Sequence, residues 1–304
     1  MTGEAQAALL ADGRRLHLQH GPIDIVAEAF GSAGERQKAY RQAAARFRTI
    51  LAELVAELHL LRRPITAAGL PVEGPVARRM VAAVWPHRAQ FVTPMAAVAG
   101  AVADEVLAAL LAGRSLAKAY VNNGGDIALH VGPGERLRAG LVANPDAPRL
   151  PHALRLDGTI AIDHAMPVRG LATSGWRGRS FSLGIADAAT VLARNAAAAD
   201  AAATLVANAV DADHPAISRA PARLLREDTD LGDLLVTVGV GPLPGAAIEQ
   251  ALAQGAGYAE ELHRAGLIFA ASLVLQGRVR IVGAPSEPEL DAGGREVGMV
   301  RWAI

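Results

Sequence analysis

The chain has 304 residues, 51% of them hydrophobic and 4% aromatic, which is ample material for a core of closely packed Ala, Val and Leu. Thirty Lys and Arg balance thirty Asp and Glu, so no basic field exists to draw in nucleic acid. Cysteine is absent, which excludes disulfides, iron–sulfur clusters, thiolate zinc sites, a Cys nucleophile and a lipid-bearing Cys.

Met1-Thr2-Gly3-Glu4 opens the chain without a basic segment leading into an apolar core, and a cytoplasmic protein is the expectation. Arg14 to Glu28 predicts a hairpin turning at Gly21-Pro22, with Leu16, Leu18, Ile23, Ile25 and Val26 along it. Glu35 to Leu61 predicts a long helix with Tyr40, Phe47, Leu51, Leu54, Val55 and Leu58 on one face, stopped by Arg62-Arg63-Pro64. A Pro/Gly-punctuated stretch follows, with a short helix over Pro75 to Val84. Ala96 to Gly113 is a helix rich in small residues, suited either to a homodimer contact or to the core.

Ala117 to Asn122 and Ile127 to Val131 read as strands around an Asn/Gly turn, and Arg136 to Ala143 and Thr159 to Asp163 as further strands. Ala172 to Ala193 mixes turn and strand, and Asn195 to Val210 is a strong helix. Ile185 to Val210 reads as the most apolar stretch, but Asp187, Arg194 and Asp200 interrupt it, so no membrane span is expected. Leu234 to Val240 is a strand, Pro244 to Ala265 a helix, and Leu267 to Leu275 with Val279 to Val282 a hairpin about Gln276-Gly277. The tail from Ala284 reads as loose. Hairpins outnumber strand–helix–strand units, which predicts an α+β fold of mainly antiparallel sheet under helices. No linker stands out, so residues 1–283 are expected to form one domain, at most two intimately packed subdomains.

Three segments carry candidate chemistry. Asn122-Asn123-Gly124-Gly125-Asp126 sits between apolar strands. Asn-Gly is the strongest short hairpin signal, yet glycines also let backbone approach a ligand and Asp126 adds a charge. Asp200 and Thr204 are four apart on a helix and share a face; a carboxylate and a hydroxyl suit Mg²⁺, and equally suit a surface acid beside a packed threonine. Thr173-Ser174-Gly175 offers two hydroxyls and a glycine for a phosphate or carbonyl, or forms a simple turn. Asp187, after Ser182, is a candidate buried acid or a cap.

Other signals are weaker. His17 and His20 fall on opposite faces of a strand, and Glu57 and His59 do not share a helix face, so neither is a metal pair. Asp211, Asp213 and His214 read as a solvated loop. Gly239-Val240-Gly241 lacks the third glycine of a dinucleotide fingerprint.

The order Asn-x-Gly-Gly-Asp, Ala-Thr-Ser-Gly, Ala-Asp-x-x-x-Thr resembles the ApbE superfamily, the magnesium-dependent FAD:protein FMN transferases. The likeness covers Ala117 to Val210. Phe91 to Gly100 and Ser182 to Asp187 look closer to a cytoplasmic branch of that superfamily. The resemblance implies an α+β fold. It places Asn122, Asn123, Gly124, Gly125, Thr173, Ser174, Gly175 and Ser182 at a flavin nucleotide, FAD or FMN. It also places Asp126 at that nucleotide and Asp200 and Thr204 at Mg²⁺; Asp126 and Asp187 are the candidate acids of the reaction. The implied reaction is attack by a hydroxyl of a flavoprotein acceptor on the FMN-side phosphorus of FAD, with AMP leaving. The chain departs from the transferases at Ser180 to Ile185, where their His-x-x-Asp-Pro-x-Thr-Gly run is missing. The alternative reading is a non-catalytic flavin-binding or accessory protein of sulfur (homocysteine) or aromatic-compound metabolism.

Overall fold

A computed structural model of the protein describes residues 3–141 and 158–283. The expected strand end at 142–143 and the tail from Ala284 lie outside the described residues. The architecture is α+β, antiparallel sheet flanked by helices. β1 (Gln6–Leu9) is an exposed strand that the sequence pattern did not signal. β2 (Leu16–His20) and β3 (Ile23–Phe30) form the expected first hairpin.

α1 (Ala33–Ala56) is capped by Ser32, whose Oγ accepts the Glu35 N–H at 3.3 Å. Its buried face is Ala39, Ala43, Phe47, Ile50, Leu51 and Leu54; Val55, expected on that face, is exposed. The helix expected to run on to Leu61 breaks at Glu57, before α2 (Leu58–Leu61). There the Glu57 carboxylate accepts the N–H groups of Glu73 at 2.5 Å and Gly74 at 3.0 Å. Gly74 leads into α3 (Pro75–Val84), with Pro at its start where the missing N–H costs nothing.

The small-residue helix is two pieces, a 3₁₀ turn over Pro94–Ala97 and α4 (Val98–Leu111). β4 (Lys118–Asn123), β5 (Asp126–Val131), β6 (Arg136–Leu141) and β7 (Gly158–Asp163) lie close to their expected positions. The mixed stretch contains β8 (Gly170–Ser174) and β9 (Ala188–Ala193), and α5 (Ala196–Ala209) follows. β10 (Ile217–Pro221) and α6 (Ala222–Leu225) were not expected, whereas β11 (Leu235–Val240), α7 (Gly245–Arg264), β12 (Ala270–Leu275) and β13 (Arg278–Val282) were.

The described residues fall into two compact units, one within Met1–Glu135, Val168–Ala172 and Ala193–Ala201, the other within Arg136–Pro167, Thr173–Leu192 and Ala202–Ile304. In the first, β1-β2-β3-β4-β5 is an antiparallel series and β5 pairs onward with β8 through Ile127↔Leu171. α4 packs on β4, β5, α1 and α3, burying Gly100, Ala101, Val102, Ala103, Val106, Leu107 and Leu110. Its small residues therefore serve the core of this unit. Among the described residues, Pro94–Leu111 is the segment long and apolar enough to cross a membrane, and half of it is buried here. Glu105 on it binds Arg46 at 2.9 Å and Arg79 at 3.0 Å, as suits a core helix with one polar edge. In the second unit β9, β12 and β13 are antiparallel neighbours with α7 against β12 and β13, and β6–β7 and β10–β11 are separate two-stranded ribbons.

Candidate functional site

The β4–β5 hairpin closes with a two-residue loop, Asn123 pairing with Asp126 across it. Gly124 and Gly125 have φ of 67° and 114°, values that favour glycine and that two-residue hairpin loops demand. The Asn122 carboxamide oxygen accepts the Gly125 N–H at 2.8 Å and braces the turn. These bonds give Asn122, Gly124 and Gly125 a structural account. Asn123 is 4% exposed and donates through Nδ2 to the Ala99 carbonyl at 3.0 Å. Residues directly opposite on paired strands share a face. Asp126 therefore emerges on the side where Asn123 reaches the start of α4.

Asp200 comes to the same place from α5. Its Oδ2 accepts the Gly100 N–H at 2.9 Å, and the Ala99 N–H also bonds to this carboxylate. The first N–H groups of a helix have no partner within it, so Asp200 caps α4. The arrangement is returned. Asp104 on α4 accepts the N–H groups of Ala196 at 3.0 Å and Ala197 at 2.9 Å, capping α5. The Asn195 side chain takes the Ala198 N–H at 2.8 Å. Two glycines permit the crossing. A Cβ on Gly100 would lie 2.3 Å from the Ala196 carbonyl oxygen, and one on Gly170 would lie 2.0 Å from the Asn195 carbonyl.

Burial raises the pKa of Asp200 well above its ordinary value of 3.8, and the charges of Asp126 and Asp104 raise it further, against the opposing pull of the Gly100 and Ala99 N–H groups. Burial also raises Asp104, offset by the Ala197 and Ala196 N–H groups. Acids distant in sequence are thus gathered at the crossing of α4 and α5. With both helix starts already capped by carboxylates, neither offers its N–H groups to a phosphate.

The remaining sequence-predicted residues lie in the second unit. Thr204 is half-buried, one turn beyond Asp200 on α5. Thr173 shares a hydrogen bond of 2.9 Å with the Thr190 hydroxyl. Ser174 is half-buried at the end of β8. Gly175 is required by packing, since a Cβ there would lie 2.4 Å from the Asp187 carbonyl oxygen. Asp187 accepts from Trp176 Nε1 at 3.1 Å, Arg177 Nε at 3.0 Å and the Gln276 N–H at 2.6 Å. Ser182 donates to the Asn208 Oδ1 at 3.2 Å and accepts the Gly184 N–H at 3.3 Å. A cavity of about 450 Å³ in this unit is lined by Asp211, Asp213, Arg219, Gln250 and Gln254, none of them in the flavin-like motifs.

A model of the family described as AbpE bacteria matches residues 7–281. The chain belongs to that family. Its ApbE-like character agrees with the motif order read from the sequence. A UPF0280 protein of Methanothrix thermoacetophila is 36% identical over 157 residues, which is 50% of this chain and 60% of that protein's length. The apo crystal structure of Pseudomonas stutzeri flavinyl transferase ApbE aligns over 93% of this chain and 94% of that one, at 13% identity and a TM-score of 0.42.

Within this AbpE chain, sequence reasoning passed over Gly100, Asp104, Gly170 and Asn195. Two of them carry a readable signal. Asn195 directly precedes a helix, the usual cap position. Gly100 interrupts an apolar helix, where glycine has a packing reason. Among the described residues no three His, Cys, Asp or Glu side chains form a ready-made metal cage. Two neighbouring carboxylates nonetheless match the chemistry of Mg²⁺, which keeps most of its waters and takes one or two carboxylates plus substrate phosphate.

Proposed function

We propose that this AbpE protein binds a flavin or related pyrophosphate nucleotide through Mg²⁺ held at Asp126 and Asp200, and that cleavage of the pyrophosphate is its reaction class. The observation that carries this reading is that both acids meet the start of α4: Asn123, which pairs with Asp126 across the hairpin, donates to the Ala99 carbonyl, and buried Asp200 accepts the Gly100 N–H. Such a pair is poorly solvated when ionised, and a divalent cation relieves the repulsion. The motif order shared with the FMN transferases supplies the flavin. The metal, when bound, neutralises pyrophosphate charge and eases departure of AMP. The chain's own residues hold the geometry: Asn123 ties the hairpin to α4, Asn122 sets the turn, and Asp200 stays seated on the first N–H groups of α4. The protein works in the cytoplasm, with a flavoprotein as acceptor.

A second reading, flavin binding without transfer, is favoured by one observation. Where the transferases carry their His-x-x-Asp-Pro run, this chain has Ser180 to Ile185, with Ser182 bonded to Asn208 and Gly184. Incubation with FAD and Mg²⁺, with and without a flavoprotein, separates the two. AMP or FMN release, or a gain of FMN mass on the acceptor, identifies pyrophosphate cleavage. Flavin retained without product identifies binding. Neither product nor any shift of melting temperature with FAD, FMN or Mg²⁺ sinks both.

A further inference from the structure

The two helix starts at the α4–α5 crossing are built on one pattern. On α4, Gly100 offers an N–H and Asp104, four residues on, provides a carboxylate. On α5, Ala196 offers an N–H and Asp200, four residues on, provides a carboxylate. Each acid caps the other helix, and the Gly100–Ala196 contact leaves no room for a methyl group between the backbones. The two acids differ in one respect. Both accept two backbone N–H groups, and Asp200 alone has Asp126 as a charged neighbour. Asp200 therefore serves a candidate site, and Asp104 serves Asp200.

We propose that Asp104 is a positioning residue for the Asp126–Asp200 pair, setting the depth and rotation of α5 so that the Asp200 carboxylate meets Asp126 across the start of α4. This rests on reading that pair as a cation site. The physical argument is rigidity. A residue one turn into a helix moves with the first turn, and the first turn of α5 is fixed from outside by the two bonds from Asp104. The rotation that seats Ala196 and Ala197 on Asp104 is the rotation that aims Asp200 at Gly100. Asp104 also adds negative charge beside a bound cation, so its loss weakens binding through the field as well as through geometry.

The test measures Mn²⁺ binding calorimetrically, in place of Mg²⁺, on the full chain, together with amide exchange at single residues. Four proteins are compared: wild type, Asp104→Asn, Asp200→Asn, and Ser32→Ala as a control that weakens an unrelated helix cap. In Asp104→Asn, Mn²⁺ affinity is expected to fall tenfold or more. The amides of Ala99 and Gly100 are expected to exchange faster, together with those of Ala196 and Ala197. Ser32→Ala lowers the melting temperature and leaves both readouts unchanged. If Asp104→Asn speeds exchange only at Ala196 and Ala197 and binds Mn²⁺ as wild type does, Asp104 is a helix cap and nothing more. Failure of the cation reading looks different: wild type and Asp200→Asn alike take up no Mn²⁺, and exchange at Ala99 and Gly100 then decides the positioning role alone. Should Asp104→Asn fail to fold, Asn195→Ala loosens the same turn through Ala198; a smaller loss of affinity supports the proposal and an unchanged affinity overturns it.

Discussion

Asp187 and Asp200 are both acids set into the body of their units, and their surroundings are opposite. Asp187, its side chain 11% exposed, is met by the Arg177 guanidinium, the Trp176 ring N–H and the Gln276 backbone N–H. Asp200 is met by two backbone N–H groups and by the charges of two further acids. The first arrangement satisfies a carboxylate and ties two pieces of chain to it, Trp176-Arg177 and Gln276, whose φ of 44° is rare for a residue with a side chain. The second sets acids near one another, with the Gly100 and Ala99 N–H groups as the donors to Asp200. An acid paired with a guanidinium has a structural role on its face; an acid whose neighbours are acids is a candidate for a functional one.

The comparison breaks most visibly at Asp187. Asp187→Ala takes the acceptor from a half-buried guanidinium and two N–H donors, and is expected to cost about 3 kcal/mol in urea unfolding. A cost under about 1 kcal/mol would show that the three bonds hold little and that the acid is free for other work. Gly100→Ala is next. With its methyl driven against the Ala196 carbonyl, it is expected to cost about 2 kcal/mol and to weaken cation binding with it, since α4 and α5 are forced apart where Asp200 is seated. Full cation affinity in a destabilised Gly100→Ala protein would separate the helix crossing from the site.

The smallest effect has the opposite sign. Because the folded pKa of Asp200 lies above its ordinary value of 3.8, ionising it costs more in the fold than in the unfolded chain. The wild type therefore loses stability as pH rises from 3.8 toward the raised folded value, and the deficit persists above it. Asp200→Asn is expected to melt slightly higher than wild type at pH 7 without divalent cations. The gain should vanish as pH falls to about 3.8, and excess Mg²⁺ at pH 7 should reverse the order. A melting temperature below that of wild type at pH 7 in chelator would mean that capping α4 outweighs the repulsion.

Much of the fold was legible because it is local. The alternation in β2, β3 and β11, the Asn-Gly turn and the apolar faces of α1 and α7 are properties of consecutive residues. The break at Glu57 was not; the partners of its carboxylate there, the N–H groups of Glu73 and Gly74, lie sixteen and seventeen residues away. β10 was hidden by Arg219 and Pro221, which weaken a strand signal in a ribbon with only one neighbour. The site divides in the same way. Asp126 and Asp200 stand out as acids in apolar runs, but the bonds that seat Asp200 and Asp104 join side chain to backbone between residues some hundred positions apart. Any sequence placing an acid four residues beyond Gly100 looks alike. Only the crossing shows which helix that acid caps. The glycines carried the reverse lesson: Gly124 and Gly125 suggested a ligand, and their positive φ accounts for them as a turn.

The loop between Asn123 and Asp126 has two residues and no slack. Side chains along a strand alternate between faces, so sliding β5 by a single place would carry the Asp126 carboxylate to the far side of the sheet. Inheritance should record that constraint: among descendants of this sequence, one-codon insertions or deletions at the Gly124-Gly125 tip ought to be rare wherever the acid is kept, and commoner where it has been lost.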